Sequence, residues 1–240
     1  MRDQLILLPG WAFGPAALQP LCDALGEQAS DLDVSVEPLP DLADPNAWLD
    51  ELDARLPTDS WLGGWSLGGM LATQLAARRI DTCRGLVTVA SNPCFRARSQ
   101  WPEAMDAEIF DTFHEAFRLD PDETLKRFRM LCSRGGFDPR TLARQLQVSQ
   151  AQSPVEVLDA GLQLLAQLDG RDALHGYFGP QLHLFASHDA LVPASACDAV
   201  RRWMPGARAE LIADASHAAP LERADEVASL MLSVIRGAGP

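Results

Sequence analysis

Three side chains far apart in the chain could together perform acyl transfer: Ser66, Asp189 and His217. Ser66 sits in Gly63-Gly64-Trp65-Ser66-Leu67-Gly68-Gly69, which contains G-x-S-x-G with Gly64 and Gly68 on either side of the serine. Between a strand and a helix this pattern makes a sharp turn that lifts a hydroxyl out of the sheet edge. Glycines are needed there because a β-carbon would clash as the two elements approach. A serine hydroxyl is a weak nucleophile at neutral pH and needs a general base held by an oriented acid. Of the five histidines, His217 lies in Asp214-Ala215-Ser216-His217, just past an apolar run ending at Ile212. Asp189 lies in Ser187-His188-Asp189, just past another such run, Leu182 to Ala186. Asp214 is a rival acid, but three residues from His217 it suits a local turn better. His183 alternates within an apolar strand and reads as core, while His114 and His175 have no evident acid or nucleophile nearby. The chain order Ser…Asp…His is one of the few in which such triads occur. The pattern around Ser66 also admits a plain alternative, a glycine-rich connection with a solvated serine.

The elements that must position these groups alternate. Strand-like runs at 5–8, 34–37, 61–63 and 85–90 are interleaved with helical runs at 16–25, 47–56 and 67–79. That alternation predicts a parallel sheet covered on both faces. From about Pro93 to Gly179 the strands stop. The spacing predicts helices over 104–119, 122–132, 139–150 and 155–168, and strands resume at Gln181. The expected architecture is an α/β fold with a mostly parallel sheet, its core formed by 1–93 and 180–240. A helical cap over 94–179 is expected to roof the site. A helix is predicted over 221–235. Developing negative charge on the substrate oxygen calls for two backbone N–H donors. Leu67, next after the serine, is one. Trp11, in the loop Pro9-Gly10-Trp11-Ala12 after the first strand, is the other, and its indole is expected to wall the acyl pocket unless it serves packing alone.

At these residues the chain resembles the α/β-hydrolases, and more narrowly the carboxylesterases of biotin synthesis that cleave pimeloyl-acyl-carrier-protein methyl ester. The likeness runs most of the length. It is densest in Leu62 to Met70 and in Gly85 to Phe95, with Trp101-Pro102 shortly after. Two departures stand out. The family's usual His-Gly before the oxyanion tryptophan is Pro9-Gly10 here, and the loop Glu37-Pro38-Leu39-Pro40-Asp41 lacks the usual glycine-rich turn. The resemblance implies a serine esterase that needs no metal or organic cofactor and acts on a carrier-bound pimeloyl methyl ester. It also implies an acyl channel lined by Phe128, Arg129, Met130, Leu131 and Cys132. Phe128 and Leu131, three apart on a helix, would equally serve to pack the cap onto the core.

Charge carries the partner inference. The 240-residue chain has a formal net charge of −13, which argues against nucleic acid as a partner. Within 124–150, however, Lys126, Arg127, Arg129, Arg134, Arg140 and Arg144 stand against Asp138 alone. A basic strip on an acidic protein suits an acidic partner, and the resemblance names one, a small and strongly acidic acyl carrier protein. Arg127, Arg140 and Arg144 are the expected contacts. The alternative is a solvated face balanced by Asp120, Asp122 and Glu123. No run approaches the ~20 apolar residues of a membrane span, and Met1-Arg2-Asp3-Gln4 leads straight into a strand, so neither membrane insertion nor a signal peptide is expected. Five scattered cysteines without C-x-x-C suit free thiols in the cytoplasm. A monomer is expected. Two other functions remain open on the residues alone: a general short-chain carboxylesterase or thioesterase without a carrier partner, and a non-catalytic hydrolase-like binding protein.

Overall fold

The computed structural model describes residues 3–237; Met1 and Arg2, on which the expected lack of a leader rests, and residues 238–240 of the expected core lie outside them. Six strands form one sheet: β1 (Asp3–Leu8), β2 (Leu32–Val36), β3 (Ser60–Trp65), β4 (Cys83–Val89), β5 (Gln181–Ala186) and β6 (Arg208–Ile212). Their order is β2-β1-β3-β4-β5-β6, and every pairing is parallel. β3 and β5 are buried along their whole length. That burial explains their near-continuous apolar runs, since a parallel sheet is covered on both faces.

Helices α1 (Gln19–Gln28), α2 (Trp48–Arg55) and α3 (Leu67–Arg78) connect the first four strands. The chain moves from β1 outward to β2, then returns past β1 to β3. Right-handed crossovers therefore send α1 to one face and α2 and α3 to the other. α1 packs against α11 (Ala224–Ile235), while α3 packs against α2 and α8 (Arg171–Gly176). The reversal of strand order between β1 and β3 opens a crevice at the carboxyl ends of the strands. The loops after β1, β3, β5 and β6, which carry Trp11, Ser66, Asp189 and His217, all leave from that edge.

Between β4 and β5 lie α4 (Ala107–Leu119), α5 (Pro121–Ser133), α6 (Pro139–Val148), α7 (Val155–Gln167) and α8. Asp106, Asp120 and Asp138 cap the first three by accepting N–H groups of the first turn. Proline opens α5 and α6, where no amide donor is missed.

The sequence reading differs from the structure in four places. Residues 93–106 are irregular, held by isolated bridges such as Arg96 with Met105, and the first helix of the insertion begins at Ala107. The short α8 was not predicted, because the polar residues of Arg171-Asp172-Ala173-Leu174-His175-Gly176 carry little periodicity. α9 (Ser195–Trp203) crosses from β5 to β6, its signal masked by the acid loop read just before it. The last predicted helix is two, α10 (Ala219–Glu222) and α11, broken at Arg223.

The turn at Ser66 depends on two close approaches. A β-carbon on Gly68 would stand 2.2 Å from the Leu8 carbonyl oxygen, and one on Gly64 2.3 Å from the Gly68 carbonyl carbon. Both obstacles are backbone and cannot swing aside. Gly68→Ala is expected to cost about 3 kcal/mol or more in urea unfolding, at or beyond the upper end of overpacking penalties. Gly26→Ala, in α1 with nothing within 4 Å of the added carbon, is expected to stabilise by about 0.5–1 kcal/mol. A second expectation concerns His183 on β5, bonded through Nδ1 to Thr88 Oγ1 at 2.8 Å. Burial pushes its pKa down to about 4. The unfolded chain takes up this proton near the usual value of about 6.5, so the unfolded state binds more protons between the two values. Stability is therefore lost as pH falls through that window. In His183→Gln, unfolding curves from pH 7 to 4 should show a shallower decline.

Candidate active site

Ser66 follows the last residue of β3 and precedes the first of α3, at φ +55° and ψ −120°. This is strained backbone for a residue with a β-carbon. Surrounding bonds impose it. The Ser66 N–H donates to the Val89 carbonyl at 3.0 Å, and the Ser66 carbonyl accepts the Ser91 hydroxyl at 2.8 Å. The carbonyl also accepts the Gly69 and Met70 amides as α3 begins. Ser66 is 5% exposed.

Asp189 and His217 meet from two loops. His217 Nδ1 donates to Asp189 Oδ2 at 2.8 Å, with both side chains fully buried. The other carboxylate oxygen, Oδ1, accepts the Leu191 and Val192 amides at 2.8 and 2.9 Å. The acid is thus fixed in place by backbone donors. A carboxylate only accepts, so the Nδ1 proton belongs to the imidazole and Nε2 presents a lone pair. Among the described residues, Nε2 of His217 is the one buried side-chain nitrogen or oxygen without a hydrogen-bond partner.

The base loop and the serine turn are joined through neighbours. Trp65, the residue before Ser66, donates its indole N–H to the His217 carbonyl at 2.8 Å, and the two rings lie 5.7 Å apart. Gly10 brings the loop after β1 alongside: a β-carbon there would lie 3.4 Å from Ser66 Cβ. Neither the Trp11 nor the Leu67 amide donates a hydrogen bond among the described residues. Both amides are therefore without an acceptor among the described residues. Trp65, Ser91 and Ser216 were not singled out in the sequence. Their roles are contacts made after folding, and no local pattern announces them.

Trp11 is buried, and its indole donates to the Leu158 carbonyl of α7 at 2.8 Å. The ring stands edge-on to Phe113, Phe117 and Phe128. It walls an apolar cavity of about 50 Å³, together with Phe110, Phe113, Phe128, Leu131 and Leu162.

The five-residue segment expected to line an acyl channel divides. Phe128 and Leu131 face this cavity. Met130 is 60% exposed on the outer side, and Arg129 turns to the Gln150 side-chain oxygen. Cys132 is fully buried and does not line this cavity. Burial, with the Asp189 charge adding to it, pushes its thiol well above the ordinary range. Of the five residues expected to line an acyl channel, two thus face the inner cavity. A helix presents only one face inward, and consecutive residues cannot share it. Asp214, exposed at φ +50°, takes a turn position. His183 lies in the core, as its alternation predicts. His114, for which the sequence suggested no partner, bonds through Nε2 to Asp159 at 2.7 Å; the two sit on different helices, 45 residues apart.

Outside, α5 and α6 enclose a larger groove of about 880 Å³ with an apolar floor of Met130, Leu131, Pro139 and Ala143. Arg127, Arg134, Arg140 and Arg144 line it. None of the four forms an ion pair among the described residues. Of the acids weighed against them, Glu123 pairs with Lys126, Asp120 caps α5, and Asp122 lies in the first turn of α5 without an ion pair to any of the four arginines among the described residues; Asp138 caps α6. All three arginines expected to dock a carrier line this one groove, and Leu131 lines both the groove and the inner cavity.

Among the described residues no helix is long and apolar enough to cross a membrane, and the five cysteines are free. The alpha/beta hydrolase fold family matches residues 28–224. The chain is 34% identical over 251 residues to the pimeloyl-acyl-carrier-protein methyl ester esterase of Aromatoleum aromaticum, covering 98% of this chain and 99% of that protein. It is 34% identical over 260 residues to the biotin biosynthesis bifunctional protein BioHC of Teredinibacter turnerae, covering all of this chain and 45% of that longer protein. The chain thus spans about half of the bifunctional relative and nearly all of the single-function one. An esterase from Exiguobacterium antarcticum shares the fold, with a TM-score of 0.83 and 17% identity over 98% of this chain and 92% of that one. The protein therefore belongs to the α/β-hydrolase family and, within it, to the pimeloyl-acyl-carrier-protein methyl ester esterases.

Proposed function

We propose that the protein hydrolyses the methyl ester of a pimeloyl group carried on acyl carrier protein, releasing methanol and the free carboxylate in cytoplasmic biotin synthesis. The buried Asp189–His217 pair, with Nε2 left as an unpartnered acceptor near a strained serine, carries the chemistry. The relatives' names support the substrate, and the groove of free arginines supports the carrier.

In this reading His217 Nε2 takes the proton of Ser66 Oγ as that oxygen attacks the ester carbonyl. The amides of Leu67 and Trp11 stabilise the oxyanion, each such donor being worth roughly 3–4 kcal/mol. Imidazolium then protonates the departing methoxide. Water, deprotonated by the same nitrogen, attacks the acyl-enzyme and regenerates the serine. Asp189 keeps the tautomer and stabilises the imidazolium throughout. Ser66 and Nε2 share no hydrogen bond among the described residues; contacts of this kind often tighten only with substrate bound. Phe128 and Leu131 give the methylene chain an apolar wall, at about 0.8 kcal/mol per buried CH₂. Arg127, Arg140 and Arg144 steer and seat the acidic carrier. The 50 Å³ volume of the inner cavity favours a second reading, a short-chain carboxylesterase or thioesterase that uses no carrier.

One comparison separates the two. Ser66→Ala should lower turnover of pimeloyl-carrier methyl ester by about 10⁴-fold or more while leaving carrier binding intact. Reversing charge at Arg140 and Arg144 together should raise KM for the carrier-bound ester about tenfold, in a salt-dependent way, as expected for charges that govern encounter. The same double variant should hydrolyse free methyl butyrate at the wild-type rate. Equal losses on both esters would exclude docking in the groove.

A further inference from the structure

Glu222, at the end of α10, links two parts of the molecule that the chemistry needs together. Its Oε1 accepts the Ser216 amide at 2.6 Å and the Ser216 hydroxyl at 2.5 Å. The Ser216 oxygen in turn accepts the Ala218 amide at 3.2 Å. Both neighbours of His217 are thus held by one carboxylate and the hydroxyl it orients. Ser216, His217 and Ala218 are all fully buried, so no solvent would replace a bond lost here. Bonds to a carboxylate are shorter and stronger than neutral ones, and a buried amide left without an acceptor is costly.

The second oxygen of Glu222 reaches the helical insertion. Oε2 accepts the Phe137 amide at 3.2 Å, in the corner between α5 and α6. That corner meets the acid and base loops at two further points. The Cys132 carbonyl accepts the Ala218 amide at 3.2 Å, and the Gly135 carbonyl lies 3.3 Å from His188 Nδ1. Gly135 has φ +91°, and a β-carbon on it would stand 2.5 Å from the His188 carbonyl oxygen. One on Gly136 would stand 2.5 Å from Glu222 Oε2. The glycine pair lets the corner come close enough for these bonds. Arg134 and Gly135, in the same corner, line the basic groove.

We infer that Glu222 is a positioning residue for His217, fastening the base loop to the corner between α5 and α6 beside the arginine groove. It acts through Ser216 and touches neither substrate nor reacting atoms. The inference rests on the reading of Ser66 and His217 as nucleophile and base, but not on the identity of the ester.

The test uses p-nitrophenyl acetate turnover and the rate of Ser66 labelling by a fluorophosphonate, for wild type, Glu222→Ala, Glu222→Gln and the exposed control Glu226→Gln. Glu222→Ala is expected to lower kcat and the labelling rate at least tenfold, within the roughly 100-fold that a misplacement of ~1 Å can cost. KM should stay within about twofold, since the ester pocket is untouched. Glu222→Gln, which keeps the size but replaces one acceptor by a donor, should fall between. It carries the test should the alanine variant fail to fold, together with Ser216→Ala. A purely structural role would lower the melting temperature and leave kcat at 25 °C unchanged, and that result in both Glu222 variants would overturn the proposal. Wild type that takes no label would instead overturn the reading of Ser66 and His217, and the proposal with it.

Discussion

A buried imidazole must satisfy both ring nitrogens or bear the cost of one left bare, and His217 leaves one bare. Its Nδ1 is committed to Asp189 at 2.8 Å. Its Nε2 has no hydrogen-bond partner among the described residues. Unpaired buried polar atoms are uncommon in folded proteins, and each calls for a reason. In the proposed chemistry the reason is a lone pair held available to take the proton of Ser66. Much of the surrounding structure holds that unfavourable arrangement in place. The Leu191 and Val192 amides anchor the acid, the Trp65 indole holds the histidine's own carbonyl, and Glu222 secures the residues on either side.

The sheet makes such precision affordable to the fold. In a parallel sheet every strand ends on the same edge, so groups over a hundred residues apart converge without special loops. The strained serine is sustained in the same way. Backbone contacts of Gly64 with Gly68 and of Gly68 with Leu8 leave the chain no relaxed alternative at that turn.

The sheet was legible in the sequence because parallel strands are apolar along their length, and the strands from β1 to β6 were each read within a few residues of their ends. The strained turn at Ser66 and the pairing of Asp189 with His217 were legible because each residue sits just past a strand. The rest depended on information that sequence spacing does not hold. α9 was obscured by the acid loop that precedes it. The run from Phe128 to Cys132 reads as one lining segment, yet on a helix only residues three or four apart share a face, so Phe128 and Leu131 face the inner cavity and Met130 faces out. Glu222 was silent because its three donors come from residue 216 and from residue 137, which no local pattern relates. The arginines of 124–150 were visible as composition. That four of them surround a single groove required the crossing of α5 and α6.

Leu131 alone belongs to the walls of both the outer groove and the inner cavity. A side chain common to two cavities can join them by a rotamer change, without any hinge or moving domain. A hydrocarbon tail passing that threshold would leave a floor of methionine, proline and alanine and enter a chamber of aromatic rings, staying out of bulk water along the way. The barrier to its entry would then be set by how readily those rings yield, and fit to chain length would be a property of their deformability more than of any empty space at rest.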